Sequence, residues 1–459
     1  MKTTKIVIVG GGFAGLSAAM YLDRTLARRP DIEVTLISRE NFILFTPMLH
    51  EVVGGDLLPG DIVNPLRRIL HRVRFVEAEV RGIELNTHQV LCTAGLAKFD
   101  LNFEFDHLLL TLGSETNFFD LPGVGDWAVT LKSLSDTVLL RNRLVALLEE
   151  ATLHKNAADR RRLLTFVTAG GGFSGVEITG ALNDFVRDAL RHYPELGQGL
   201  VRVVVVEPGA FLLPELGKAL GSYAELKLRE RNIEVIKGGP RVTSYDGSLV
   251  VLSDGTSIPA ETLIWTAGVK PSPVIELWPH RKERGRLLVD EFLRVPGVLG
   301  VWAAGDSAAV PDDKNGGFHP PTAQHGLREG RRAAKNIEAA VLGRPPAPFV
   351  YSTQGQLATI GRRTGVAKVF GLKFSGFFAW WLWRTVYLMK LPRLAKKLRV
   401  MFGWTLDLFF GREIEQMITL RDLESVTQRL GLLRRRTNEQ TKGRHGSVAE
   451  PSLKQRARA

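Results

Sequence analysis

The chain has 459 residues, 44 % of them hydrophobic and 24 % charged, with a formal net charge of +13. That length exceeds what one hydrophobic core serves, so two domains with additions are expected, and the composition excludes collagen-like and wholly disordered chains. The single cysteine, Cys92, excludes a disulfide scaffold, a cysteine-ligated zinc, an iron–sulfur cluster and a dithiol redox centre, and no His-Glu-x-x-His spacing occurs, so no metal site is expected.

The opening Met-Lys-Thr-Thr-Lys runs directly into an apolar strand that is too short for a signal-peptide core, so a cytoplasmic placement is expected. Gly10-Gly-Gly-Phe-Ala-Gly15 follows the strand, then a helix from 16 to about 28 and a second strand over 33–37. In such a unit Gly10 allows the tight turn, Gly12 lets backbone approach a pyrophosphate, and Gly15 permits close helix–strand packing. The acid that usually closes the second strand is replaced by Ser38, with Glu40 two residues on. Either the adenosine ribose is held differently, or Glu40 takes over. Cys92 falls in a loop-like stretch before Thr93-Ala-Gly95 and reads as a packing residue. A further strand, 107–111, ends in Gly113.

The pattern then recurs. Leu163-Leu-Thr-Phe-Val-Thr168 leads into Gly170-Gly-Gly-Phe-Ser-Gly175, a helix through Arg191 and a strand over 201–206. This internal repeat, offset by about 160 residues, implies two βαβ dinucleotide-binding units. Glu207 closes the second unit, where a carboxylate accepts from a ribose 2′-hydroxyl and repels a 2′-phosphate, favouring NADH over NADPH. The plain alternative is a solvated strand-end glutamate. Residues 235–258 alternate with the turn signals Asp246-Gly247 and Asp254-Gly255 and read as a β-meander. Strands at 262–266 and 300–304 end in Gly268 and in Gly305-Asp306, at the strand ends where ligands sit in open α/β sheets. Asp306 suits flavin hydroxyls, although alone it would serve as a helix cap. Two dinucleotide sites in one chain point to a flavoprotein that takes FAD and NADH.

From 370 the texture changes. Phe374, Phe377, Phe378, Trp380, Trp381, Trp383 and Tyr387 crowd one stretch, but Arg384 interrupts it too early for a span of about 20 apolar residues. Leu391, Leu394, Leu398, Met401 and Phe402 then form one helical stripe, opposite Arg393, Lys396 and Lys397. An aromatic, basic amphipathic helix of this kind lies in a membrane interface; a dimer interface is the alternative. Residues 361–459 hold 21 Lys and Arg against 7 Asp and Glu, while the remainder holds 40 against 41. One end therefore meets an anionic surface, and the matched apolar stripe favours lipid over nucleic acid. The tail from about 434 is Arg-, Gly- and Ser-rich and is expected to be disordered.

Taken together, Gly10–Gly15, Phe45-Thr-Pro-Met-Leu49, Thr111-Leu-Gly113, Gly170–Glu177, Thr266-Ala-Gly268, Ala303-Ala-Gly-Asp306, Pro320-Pro-Thr-Ala-Gln324 and Leu357-Ala-Thr-Ile-Gly361 resemble the type II NADH:quinone oxidoreductases. The resemblance covers about residues 1–425, and the Pro-Pro-Thr-Ala-Gln run with the aromatic, basic C-terminus makes it specific. It implies an α/β fold with two Rossmann-like domains and a C-terminal membrane-association region. The expected division is 1–119 and 284–358 for FAD, 120–283 for NADH, 359–430 for the membrane, and a tail at 431–459. FAD would be lined by Gly10, Gly12, Phe13, Ala14, Gly15, Ser38, Arg39, Thr46, Val80, Gly113, Asp306, Ala323 and Gln324. NADH would meet Gly170, Gly172, Gly175, Glu207 and Gly268. Glu177 would sit beside nicotinamide and flavin with a part in proton handling for the quinone, and Gln324 would border the quinone pocket. Implied partners are membrane lipids, a lipid quinone and a second copy of the chain, with no nucleic acid, on the cytoplasmic face of the cell membrane.

Two departures from the family pattern stand out. Arg328 replaces the second glutamine of the usual Ala-Gln-x-Ala-x-Gln run, and Ser38 replaces the strand-end acid. His325 reads as a polar surface histidine, with a part in protonating reduced quinone as the alternative. Sulfide:quinone and thioredoxin-type reductases share the architecture but need more than one cysteine. A reductase of a soluble electron-carrier protein and a non-catalytic, polyanion-binding flavoprotein are the competing functional readings.

Overall fold

The computed structural model describes residues 3–314, 316–353, 355–406 and 413–417. The expected tail at 431–459 lies outside the described residues. The first apolar run forms the middle strand, Thr4–Val9, of a five-stranded parallel sheet. Ile32–Ser38 and Arg74–Glu77 lie on one side of it, His107–Leu110 and Val301–Ala303 on the other. These strands are mostly apolar because both faces are covered, one by the helix that follows the first turn and the other by an antiparallel sheet within residues 79–104. Val9 pairs with Ile37 and with Leu110, which brings Gly10, Ser38 and Thr111 to one carboxyl edge. The helix after the turn runs Phe13–Arg24, beginning and ending earlier than expected. Thr25 leaves helical geometry there and turns its hydroxyl back to the Tyr21 carbonyl.

A second parallel sheet repeats this plan in the order Val129–Thr130, Thr262–Trp265, Thr165–Ala169, Arg202–Glu207 and Ile233–Lys237. Leu163 is not a strand residue. It closes a helix, Ala157–Leu163, which Asn156 caps through the Ala158 N–H, so the strand begins at Thr165. The helix expected to reach Arg191 runs Phe173–Ala189 and continues as one tighter turn, Leu190–His192. The meander is narrower than the expected 235–258, since residues 235–237 belong to the parallel strand Ile233–Lys237; it comprises Val242–Tyr245, Leu249–Leu252 and Ser257–Pro259, with Gly247 and Gly255 at positive φ in its turns. The α/β architecture with two Rossmann-like units is thus as expected.

An antiparallel sheet that the sequence reading lacked comprises Glu79–Glu84, Gln89–Ala94 and Phe99–Glu104. Cys92 lies in its central strand rather than in a loop. Burial pushes its thiol up to about 12, which makes it a packing residue and a poor nucleophile.

The C-terminal part adds a three-stranded antiparallel sheet, Gly355–Thr359, Gly365–Val369 and Leu372–Ser375, and two helices, Gly376–Lys390 and Leu394–Leu406. The aromatic run is the first helix. Pro392, which cannot donate to a continuing helix, separates it from the second. Leu391 therefore leaves the expected stripe and is buried among Trp383, Val400 and Phe45. Leu394, Leu398, Met401 and Phe402 remain as an exposed apolar face, joined by exposed Phe377, Phe378 and Trp381 from the preceding helix. Among the described residues no helix is long and apolar enough to cross a membrane.

Candidate active site

Gly10 stands at φ +101°, and a Cβ there would overlap the Thr111 carbonyl; a Cβ on Gly15 would overlap the Gly10 carbonyl. Gly12, by contrast, faces open space, with nothing within 4 Å of where its Cβ would lie. The unpaired first-turn N–H groups of helix Phe13–Arg24 follow directly, so the turn is a cradle for an anionic pyrophosphate. Three other segments close on this edge. The Gly113 N–H donates to Ser307 Oγ at 3.0 Å, Ser114 Oγ donates to Asp306 Oδ2 at 2.6 Å, and Lys132 Nζ donates to Ser114 Oγ at 2.9 Å. Ala323 and Gln324 begin the helix Ala323–Val341, whose Gly326 and Gly330 lie against Ala14. The buried Glu329 of that helix accepts the Gly305 N–H at 2.7 Å, and burial pushes its carboxyl up to about 8.

The structure brings Gly10–Gly15, Gly113, Asp306 and Ala323 to one place. Ser38 is buried at the same edge, its side chain against Gly11. Arg39 is exposed, 3.6 Å from Glu40. Thr46 opens a short turn, Thr46–Met48, and Val80 is part of the first core through the antiparallel sheet. The cradle, the strand-end Asp306 and the convergent glycines fit an FAD, with Phe13, Ala14, Gly15 and Asp306 as the groups that would hold it.

The second turn repeats the first. Gly170 stands at φ +106°, Gly12's counterpart Gly172 again faces open space, and a Cβ on Gly175 would overlap the Gly170 carbonyl. Glu207 Oε2 accepts the Gly171 N–H and Oε1 accepts the Gly209 N–H, each at 2.7 Å. The carboxylate is thereby fixed at the strand end with one lone pair on each oxygen already used. Gly268 follows strand Thr262–Trp265, two places along the sheet from the strand of Glu207, and packs on Phe119.

Glu177 sits one turn into helix Phe173–Ala189 and is buried. Its Oε1 accepts the Trp383 Nε1–H at 3.1 Å and the Thr359 N–H at 3.3 Å, and its Oε2 lies 3.7 Å from His50 Nδ1. His50 Nε2 is 3.0 Å from Thr359 Oγ1, and the imidazole meets the Trp383 ring edge-on at 5.3 Å. Burial pushes Glu177 up to about 8 and His50 down to about 3, so at neutral pH the pair is a protonated carboxyl beside a neutral imidazole. It is not a salt bridge. One residue on, Glu51 Oε2 accepts the Trp404 Nε1–H at 2.8 Å and faces Arg384, whose guanidinium lies between the Trp380 and Trp404 rings.

Apart from that cluster, a cavity of about 310 Å³ runs along helix Phe13–Arg24, lined by Phe13, Phe45, Asn64, Leu327, Lys390 and Pro392 among others. It adjoins the first glycine turn on one side and the junction of the two C-terminal helices on the other.

Comparison with known proteins decides the family. Residues 4–330 match the pyridine nucleotide-disulphide oxidoreductase family and residues 353–413 the NDH2 C-terminal domain. A type II NADH:quinone oxidoreductase of Mycobacterium tuberculosis is 31 % identical over 430 residues, covering 90 % of this chain and 88 % of the relative. The chain belongs to the type II NADH:quinone oxidoreductases. Another relative of that name, from Staphylococcus saprophyticus, is 28 % identical over 379 residues, 81 % of this chain and 91 % of the relative. The fold matches a solved NDH2 of Plasmodium falciparum in complex with NADH, with a TM-score of 0.83 at 20 % identity, covering 90 % of this chain and all of that one.

Within this type II chain, one expectation about the Pro320–Arg328 region needs revision. His325 is not a surface residue. It is buried against His319 and Tyr351, its Nδ1 lies 2.7 Å from Thr322 Oγ1, and burial pushes it down to about 4, so it is neutral. Arg328, the replacement for the usual glutamine, donates from Nη1 to the Gln324 carbonyl at 2.9 Å and lies 4.2 Å over the Tyr351 ring. Gln324 Oε1 accepts from the Tyr351 hydroxyl at 3.2 Å. Gln324 does not itself line the cavity; Leu327, one turn on, does. Sequence reasoning missed His50, Thr359, Trp383 and Asn64. The first two stand in or beside motifs already singled out and Trp383 lies in the aromatic run, whereas Asn64 carries no local signal.

Proposed function

We propose that this chain oxidises NADH and passes two electrons, through bound FAD, to a lipid quinone at a membrane surface. The observation that carries this reading is the meeting point of Glu177. A protonated buried carboxyl from the second dinucleotide unit, a histidine from the first and a tryptophan from the C-terminal helices share one hydrogen-bonded cluster. FAD, when bound, supplies the electron relay, taking hydride from NADH and giving two electrons to quinone. The first turn with Asp306 holds that group; the second turn with Glu207 holds NADH. Glu177 keeps a proton available at neutral pH, and a quinone needs two as it is reduced. The apolar cavity beside Phe13 accommodates the quinone head. Two of the four buried clusters among the described residues, one from 6–110 with 275–349 and one mainly from 140–264 with Val53, Ala358, Ile360 and Val366 added, support assigning 1–119 with 284–358 to FAD and 120–283 to NADH. Mixing holoenzyme anaerobically with NADH and then with a soluble quinone tests the reading: flavin absorbance bleaches and then returns. Bleaching without return moves the acceptor to another class.

Nucleotide choice follows from Glu207. Glu207→Gln removes the charge that repels a 2′-phosphate, and kcat/KM for NADPH relative to NADH is expected to rise about 10-fold, read from steady-state rates with both nucleotides. An unchanged ratio would assign Glu207 to bracing the turn alone.

The exposed face of Leu394, Leu398, Met401 and Phe402, with Phe377, Phe378 and Trp381, is the surface we assign to lipid on the cytoplasmic side, where NADH is found. A second copy of the chain packed on the same helices would give the homodimer. Leu394→Asp with Phe402→Asp is expected to cut binding to anionic vesicles at least 10-fold in a co-sedimentation assay, while reduction of a water-soluble quinone continues. Unaltered sedimentation would assign this face to the dimer.

A further inference from the structure

Lys132 lies between the short strand Val129–Thr130 and helix Leu134–Leu153, at the start of the second dinucleotide unit. Its backbone is held in place. Asp136 Oδ2 accepts the Lys132 N–H at 2.9 Å, the Ser133 N–H at 3.0 Å and the Thr130 hydroxyl at 2.7 Å. From this braced turn the half-buried side chain crosses to the first unit, where Nζ donates to Ser114 Oγ at 2.9 Å and lies 3.4 Å from the Ser114 carbonyl. Ser114 in turn donates to Asp306 Oδ2 at 2.6 Å. Burial lowers the lysine amine from its ordinary value, and the Asp306 and Glu115 carboxylates oppose that shift. A long, charged side chain stays under cover only against such partners.

Ser114 belongs to the ribbon by which the chain passes between the two units. Strand Ser114–Thr116 follows Gly113 directly and pairs antiparallel with Val269–Pro271, which follows Gly268. Gly113 stands at the edge that would hold FAD and Gly268 at the edge that would meet NADH. A shift of this ribbon therefore moves the two sites against each other. Two paired strands of three residues are a weak tie by themselves. Helix Leu49–Val53 joins the units at a separate place, against helices Leu134–Leu153 and Phe173–Ala189.

We propose that Lys132 is a positioning residue: by bracing Ser114 and Asp306 from the second unit, it fixes the nicotinamide of NADH against the flavin for hydride transfer. The proposal rests on the NADH-oxidising reading above. In the step it serves, the nicotinamide C4–H bond breaks with its electron pair. NADH becomes NAD⁺, and FAD takes the hydride to become FADH⁻. Lys132 gains and loses nothing in that step. It sets a distance, and a misplacement of about 1 Å costs up to about 100-fold in rate.

The test uses holoenzyme of the wild type, Lys132→Met, Lys132→Arg, Ser114→Ala and the variant with both Lys132→Met and Ser114→Ala, each mixed anaerobically with NADH under stopped flow. Methionine fills a similar space without a donor. Lys132→Met is expected to lower the limiting rate of flavin reduction about 10-fold, with the Kd for NADH within about 2-fold of wild type and the flavin-to-protein absorbance ratio unchanged. The long-wavelength charge-transfer band of reduced flavin stacked on NAD⁺, read at equilibrium, weakens in parallel. Lys132→Arg, which keeps a cation of similar reach, restores part of both. The double variant is no slower than the slower single one, because both changes break one bridge. A wild-type limiting rate and band in Lys132→Met overturn the proposal, as does a loss confined to reoxidation by quinone or one that adds fully to that of Ser114→Ala. If Lys132→Met does not hold FAD, Ser114→Ala decides alone: a slowed flavin reduction with flavin retained supports the proposal, and a wild-type rate overturns it. Loss of flavin from both variants overturns it too, because the bridge then serves FAD retention. Wild-type flavin that NADH does not reduce fails the parent reading instead.

Discussion

Gly10→Val is expected to give protein that loses FAD on purification and melts well below the wild type. At φ +101° any Cβ is strained, and this one would overlap the Thr111 carbonyl. Thr111 cannot retreat. Its N–H donates to the Val9 carbonyl, its hydroxyl bonds the same carbonyl at 2.8 Å and the Gly10 carbonyl at 3.0 Å, and it follows a strand held in register on both sides. Relief requires the first turn and the edge of the central sheet to move together, at a cost of about 3 kcal/mol or more. Gly12→Ala is the control that separates fold from ligand. Its backbone, at φ −73° and ψ −164°, is open to any residue, and its Cβ would touch nothing. The apoprotein Tm should therefore stay at the wild-type value while FAD retention falls. The absorbance ratio of flavin to protein and the Tm of the stripped chain check both. A Gly10→Val protein that keeps flavin and stability would show that the turn is not constrained by its neighbours.

How much of this was readable in advance follows from the range of each interaction. The two glycine turns are local patterns in which strand, turn and helix are adjacent, so Gly10–Gly15 and Gly170–Gly175 fall where spacing places them. Periodicity alone carries the stripe through Pro392, where the backbone cannot continue a helix, and so misplaces Leu391. The turn signal at Gly95 marks Cys92 as a loop residue, but that signal lies beyond the strand's end rather than before it. His325 reads locally as a surface residue, whereas it is buried by His319 from the segment before its helix and by Tyr351 from the chain's return past that helix. The cluster at Glu177 is the extreme case. His50, Thr359 and Trp383 come from three distant segments: helix Leu49–Val53 and strand Gly355–Thr359 each pack on the helix of Glu177, and the first C-terminal helix adds Trp383.

That packing gives Glu177→Gln a signature with two opposed parts. The glutamine carbonyl can still accept from Trp383 and Thr359, so the cluster keeps its hydrogen bonds but loses its proton. Quinone turnover is expected to fall about 100-fold, with the loss in flavin reoxidation as followed by stopped-flow absorbance. Stability moves the other way. The folded carboxyl holds its proton up to about 8, whereas an unfolded glutamate releases it near its ordinary 4.5. Between those values the folded chain binds more protons than the unfolded one, so wild-type stability declines as pH rises. A glutamine abolishes that slope, and the variant should match wild type below pH 4.5 and exceed it by about 5 °C in Tm near pH 8. Glu329, pushed up to about 8 by the same cause, stays in place and leaves part of the decline in the variant. On the other flank His325, pushed down to about 4, adds to the larger effect of His50. His50 remains neutral down to about 3 while an unfolded histidine takes a proton below 6.5, so stability is lost as pH falls, in both proteins alike. A Tm difference that is the same at pH 5 and pH 8 would mean that the Glu177 carboxyl is ionised in the native state. A different proton donor would then have to serve the quinone.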